Sequence, residues 1–589
     1  EMLATNYIRR SDSLKAVDLQ RERDHNWFLS QQWVGMALYC HRFAGDLKGL
    51  KANLGYLQEL GINLLHIMPM MDCPRGKNDG GYAVRDFRAL DPRSGTLEDL
   101  DALIRNMDKR GMLIALDVVV NHTSEEHEWA RRACAGETAY QDYYYTFVDR
   151  EYPDLYEESM PEIFPETAPG NFTWNEEMQR WVMTVFNNYQ WDLNYRNPAV
   201  FIEMMDIILF WANRGVDVLR LDAVAFLWKR LGSSCQNERE AHLILQLFKD
   251  CCQVVAPGVL FIAEAIVAPV EVIKYFGEDA VIAKECEIAY NATYMALLWD
   301  AVATQRADLL NIGIRNLPDK LERATWLNYV RCHDDIGWGF ADEDIRQAGY
   351  EPRAHRSFLV DYYTGQFEGS PARGSAFAFN KRTGDARISG SLASLAGLES
   401  AIEAGDAEAT AMAIRTIVML HALIMSFGGI PLLFYGDAIG TINDASYLSD
   451  HEKHDDNRWM HRPNFDWEKA KLRQQPGSVE HRIFTALRHL IAVRKETAAF
   501  ADLDNRELLA VENPHLFVFA RYDPMRTGPR ILVVANFSLA TQALPLAGLR
   551  AKGFLTRDHA KDIRSGDIVP LAEDALAVGG REFFWLREA

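Results

Sequence analysis

The chain has 589 residues, 48% of them hydrophobic and 25% charged, with a formal net charge of -20. That length predicts about three domains, and that charge excludes nucleic acid or an anionic membrane as the main partner, since both need basic patches. A neutral, polyhydroxylated small molecule fits the balance better, and eight cysteines without CxxC spacing signal neither a zinc site nor a disulfide framework; reduced thiols and a cytoplasmic location are expected.

Residues 1–30 read as a charged helical region, the end of a larger one. From residue 31 onward short apolar runs alternate with amphipathic stretches, as in 64–68, 97–110, 113–120, 200–213 and 216–221. This rhythm predicts parallel strands joined by right-handed crossovers, and eight such units close a (β/α)8 TIM barrel. Two stretches break it. Residues 123–185 are rich in Tyr, Trp, Glu and Pro, and residues 339–400 are punctuated by Gly365, Gly369, Gly374, Gly384 and Gly390. Both are too long for plain connections and read as insertions after strands 3 and 7, leaving 31–122 and 186–500 as the barrel. Beyond residue 501 the short β-rich runs 508–511, 516–519, 531–534 and 583–586 predict a C-terminal all-β sandwich. No run of about 18 apolar residues occurs, so no membrane span is expected. A monomer or homodimer is expected.

Three acids, Asp222, Glu264 and Asp334, each follow a short apolar run. Such endings put carboxylates at one rim of a sheet. A buried carboxylate is costly, so these need a chemical or electrostatic reason to be there. Glycoside cleavage supplies one, because two carboxylates flank its oxocarbenium-like centre.

Four segments carry the family resemblance: Asp117–Val–Val–Val–Asn121–His122, Gly215–Val–Asp–Val–Leu–Arg220–Leu–Asp222, Phe261–Ile–Ala–Glu264 and Val330–Arg–Cys–His333–Asp334–Asp335, joined by Gly429–Ile–Pro–Leu–Leu–Phe–Tyr435–Gly436–Asp437. In this order they resemble the α-amylase family of glycoside hydrolases and transglycosidases. Further segments, among them Asn78–Asp79–Gly80–Gly81–Tyr82, Phe186–Asn–Asn–Tyr–Gln–Trp and Asp456–Asn–Arg458–Trp, resemble amylosucrase and its relative sucrose hydrolase over nearly the whole chain.

The resemblance implies sucrose as substrate and a role for each matching position. Asp222 matches the nucleophile, Glu264 the general acid/base, and Asp334 the third carboxylate, which favours the transition state. His122 and His333 match histidines that grip glucosyl hydroxyls, and Tyr82 and Phe186 match aromatic platforms. Asp79 and Arg458 match an ion pair that closes the far side of a one-sugar pocket; Asp335 and Arg387 match the fructosyl side. Arg220, two residues before Asp222 on one strand, shares its face and can keep the nucleophile ionised. Asp117 and Asp217 read as structural. Asn121 helps bind calcium in some amylase relatives, but no adjacent carboxylate set is evident, so neither metal nor cofactor is expected.

Hydrolysis and polymer synthesis share their first step, so the acids do not separate them. Pro161 stands where amylosucrases carry Arg, and Ala378 also departs from their pattern. Losing an arginine removes donors for an acceptor's hydroxyls. Sucrose hydrolysis is therefore the leading expectation. Glucosyl transfer to a glucan acceptor is the alternative, followed by trehalose synthase or α-glucosidase activity and, last, a non-catalytic sugar-binding relative.

Overall fold

The computed structural model describes every residue except 266, 278–284, 381–384, 527, 572 and 589, together with the side chain of 380. The turn expected at Gly384 therefore lies outside the described residues.

Eight short strands form the centre: β1 (Gly35–Leu38), β2 (Leu64–Ile67), β3 (Leu113–Val119), β4 (Val218–Asp222), β5 (Leu260–Ala263), β6 (Ile288–Tyr290), β7 (Thr325–Tyr329) and β8 (Ile430–Phe434). They close into a barrel in chain order, every neighbour parallel and β1 pairing with β8. Their continuous apolar character follows from burial on both faces, helices outside and packed side chains within. The helix Ala407–Ser426 is long and apolar enough by composition to cross a membrane. It packs against β7 and β8 instead, as the barrel's last helix but one. Gly429 makes the turn into β8: its φ is +111°, and a Cβ there would lie 2.4 Å from the Trp326 carbonyl oxygen.

The N-terminal region consists of two helices, Met2–Arg9 and Asp12–Arg23. Arg10 forks onto Asp18 at 2.6 and 2.7 Å and also donates to the Ala212 carbonyl. Arg21 donates to Asp217, whose other oxygen accepts the Ile114 N–H at 2.9 Å. Asp217 thus ties the start of β4 to β3 and to the N-terminal helices, far from the rim where β4 ends.

Between β3 and the helix Pro198–Asn213 lie short helices and a three-stranded antiparallel sheet built from Thr146–Phe147, Arg180–Met183 and Phe172–Asn175. After β7 come the helix Pro352–Tyr363 and a hairpin of Ser375–Asn380 with Asp385–Ser389. The C-terminal region is a six-stranded antiparallel sheet faced by a two-stranded ribbon. Its strands alternate between two cores: Phe517, Phe519, Val533 and Trp585 join the barrel's core, while Leu516, Val518, Val534 and Leu586 pack under the ribbon. The second layer needs only two strands because the barrel covers the other face of the large sheet.

Candidate active site

Asp222 is the last residue of β4, and Glu264 is the first beyond β5. Leu221 pairs with Ala263 in the register of these strands, so the two acids stand side by side at the C-terminal rim, where neighbouring strands run about 4.8 Å apart. Immediately after Asp222 the chain turns through Ala223, a non-glycine residue at φ +52°. That turn points the Ala223 N–H at Glu264, whose carboxylate accepts it at 3.0 Å. Asp334 follows β7, half-exposed and lining the same cavity, with His333 Nε2 at 3.2 Å.

Beneath the acids lies a buried charge network. Arg220 Nη1 donates to Asp222 at 2.7 Å and to Asp117 at 3.2 Å. The Tyr82 hydroxyl donates to Asp117 at 2.7 Å and lies 2.8 Å from His333 Nε2, the two rings stacked at 5.6 Å. Burial would raise the Asp117 carboxyl, but Arg220, His66 and Tyr82 outweigh it and hold its pKa down to about 2. Asp117 is therefore an anion that positions Arg220 and Tyr82. Burial lowers His333 well below the ordinary histidine value and brings His122 down to about 4. Both are neutral at pH 7.

Asp222 and Glu264 both lie above the ordinary carboxyl range, with burial the largest cause in each; Glu264 adds to the rise of Asp222, and Asp334 to that of Glu264. Two adjacent buried acids share a proton rather than ionise together. The direct bond from Arg220 favours the anion on Asp222, which leaves the proton on Glu264.

Each of the catalytic and substrate-contacting candidates, from Asp79 to Arg458, lines one cavity of about 250 Å³. Arg458 reaches Asp79 at 2.8 Å, both side chains 10% exposed, and also donates to Asp456. Burial pushes the Asp79 carboxyl up against the pull of Arg458. Phe186 lies against His122 with ring centres 5.2 Å apart. Arg387 Nε lies 3.2 Å from Asp335, while its Nη2 donates to the Ile163 carbonyl at 3.1 Å. The Arg387 guanidinium also rests over the rings of Phe164 and Phe377. A residue of the second inserted segment thus fastens the first one beside the cavity.

Sequence reasoning assigned no role to Phe164, Phe377, Asp456 or Lys229. Lys229 Nζ is fully buried and contacts Asp192 at 2.6 Å, Asn121 Oδ1 at 3.0 Å and the Phe226 carbonyl oxygen. The oxygens around Asn121 therefore hold an ammonium group. Lys229 ends the run Asp222–Ala–Val–Ala–Phe–Leu–Trp–Lys, which also resembles the amylosucrase pattern, but nothing local gives it a role, because Asp192 and Asn121 come from distant segments.

Residues 12–338 match the model of the α-amylase catalytic domain. The trehalose synthase/amylase of Mycolicibacterium smegmatis is 28% identical over 571 residues, spanning 92% of this chain and 88% of its own. The glucosylglycerate phosphorylase of Spirochaeta thermophila is 28% identical over 538 residues, spanning 89% and 83%. Among solved structures, sucrose 6F-phosphate phosphorylase from Thermoanaerobacter thermosaccharolyticum superposes with a TM-score of 0.66 at 17% identity, over 93% of this chain and 98% of its own. This last likeness is one of fold alone. The family match covers more than half of the sequence and includes the strands that carry Asp222, Glu264 and Asp334, so the chain belongs to the α-amylase family, enzymes that act on α-glucosidic bonds with retention of configuration.

Proposed function

We propose that this enzyme hydrolyses sucrose to glucose and fructose through a covalent glucosyl-enzyme intermediate. The observation that supports the reading is the buried Arg458–Asp79 pair lining the same cavity as the three acids, since the resemblance implies that this pair closes the glucosyl side to a single ring. Glu264 gives its proton to the bridging oxygen as the bond from that oxygen to glucosyl C1 breaks. Asp222 attacks C1 and forms an ester. Water then attacks C1, passing its proton to Glu264, and the ester bond breaks to return Asp222 as a carboxylate. Asp334, beside His333, sits where it can hold sugar hydroxyls, and the Arg387–Asp335 pair supplies a donor and an acceptor for the fructosyl unit.

Water is favoured over a glucan as acceptor by the joining of the two inserted segments at Arg387, and by Pro161 and Ala378 in place of the residues expected of a polymerase. A second reading comes from the curated relatives: the names reported above are those of a trehalose synthase and a glucosylglycerate phosphorylase, and a closed one-sugar pocket also suits moving glucose between partners. Offering sucrose, maltose and trehalose separately distinguishes them. Near-equal glucose and fructose from sucrose is expected. Fructose in large excess with growing glucan would assign the polymerase alternative, and interconversion of maltose and trehalose with sucrose untouched would assign the second reading.

A further inference from the structure

Two cavities share one wall. Behind the glucosyl pocket lies a second cavity of about 220 Å³, and Asp79, Phe164 and Arg458 line both. Its remaining walls are mostly polar, and Asn188 and Thr167 at its rim are exposed, so it reaches solvent. A smaller hole of about 30 Å³ borders it at Asn78, Gly80, Lys453 and Trp459. Two buried polar atoms, Tyr39 Oη and Arg462 Nη1, have no protein partner among the described residues. Both abut Gly80, at 3.0 and 3.1 Å from where a Cβ would stand. Buried polar atoms of this kind are satisfied by ordered water, and a side chain at position 80 would take its place.

A pocket closed at its far end has a filling problem, because a sugar ring entering by the mouth displaces water while it obstructs the mouth. We propose that the rear cavity is a solvent compartment that takes up this water across the Asp79–Arg458 wall and returns it when the sugar leaves. The wall is suited to brief opening. Arg458 keeps two bonds to Asp456 when it releases Asp79, and Asp79 retains Gln190 Nε2 at 3.3 Å. Neither charge is stranded. The inference rests on the one-sugar reading of the pocket and is independent of sucrose as the substrate.

Asn188→Phe and Thr167→Phe place bulk at the rim of the rear cavity without touching the glucosyl pocket. Rapid mixing of glucose with each variant, monitored by intrinsic fluorescence, gives association and dissociation rates, and calorimetry gives Kd. Both rates are expected to fall by about tenfold while Kd stays within about twofold, the signature of an obstructed route rather than a lost contact. Unchanged rates in both variants would overturn the proposal, as would a weakened Kd with unchanged association, which would make the rear cavity a sugar subsite. Failure of glucose to bind the unmodified enzyme would instead overturn the one-sugar reading, and this inference with it. A high-resolution crystal structure is expected to show ordered water in the rear cavity between Arg458 and Asn188; a dry cavity there refutes the compartment.

Discussion

Replacing Lys229 by Met tests how the floor of the pocket is held. The ammonium group and its partner Asp192 are both fully buried, so the substitution leaves an anion in the interior. That anion keeps two neutral donors, Asn121 Nδ2 at 2.9 Å and the Val185 N–H at 2.8 Å. Breaking a buried pair by removing one partner costs about 3–5 kcal/mol, and the surviving donors put this case near about 3 kcal/mol. The loss acts locally, because Asn121 precedes His122 and Val185 precedes Phe186, two residues that line the cavity. At about 1.4 kcal/mol per tenfold, cleavage of residues 123–185 through local opening should rise by roughly a hundredfold under native conditions. KM should rise with it more than kcat falls. The double variant Lys229→Met/Asp192→Asn removes both charges and should recover most of the loss, since replacing both partners is far milder than orphaning one. Native-state proteolysis of the three proteins, alongside steady-state kinetics, reads all of this. A single variant that resists protease like the unmodified enzyme, or a double variant as fragile as the single, would refute the reasoning.

Asp117→Asn removes an anion that anchors Arg220, leaving that guanidinium with Asp222 alone; kcat/KM is expected to fall by about a hundredfold with sucrose, and an unaltered rate would show that Arg220 needs no second partner. Burial holds His41 and His122 down to about 4 and His127 to about 3, below the unfolded value near 6.5. The unfolded chain therefore binds more protons below that pH, so their contribution to stability is complete above about 6.5 and is lost as pH falls toward about 4. Unfolding midpoints at several pH values should trace that decline, and a flat profile across the window contradicts it. The raised Glu264 carboxyl should hold its catalytic proton to higher pH than an ordinary glutamic acid. Activity on sucrose is then present below its raised pKa and lost as pH rises through it. Glu264→Gln should abolish sucrose turnover yet still release fluoride from α-glucosyl fluoride, whose leaving group needs no protonation.

The barrel and its reactive rim were legible for one physical reason. Strands buried on both faces must be continuously apolar, so a carboxylate directly after such a run marks itself by the cost of being there. Asp222 and Glu264 stand out in this way, and the register of β4 with β5 then sets them side by side. The Asp79–Arg458 contact is different. The partners lie 379 residues apart, neither sits in a periodic pattern, and only resemblance to a family paired them. The C-terminal region shows a third situation. The apolar run 516–519 announces a strand buried on both sides, but a sequence does not say what covers each side. The expected sandwich is there with unequal layers, because the barrel covers one face of the six-stranded sheet and a two-stranded ribbon suffices on the other.

Lys229 shows where such reading stops, and Arg387, placed on the fructosyl side by resemblance, also has a tie to Ile163 that the sequence does not announce. Each is a cation whose significance lies in joining segments that the chain brings together only on folding: Lys229 fixes the strand end at Asn121 to Asp192, and Arg387 fixes Asp335 to the backbone at Ile163. Local pattern records the cost of burying a side chain on its own element. It does not record the partner, elsewhere in the chain, that offsets that cost. The acids that carry out the chemistry announce themselves by the cost of their burial, whereas Arg387 and Arg458 are placed only by resemblance and Lys229 is given no role at all.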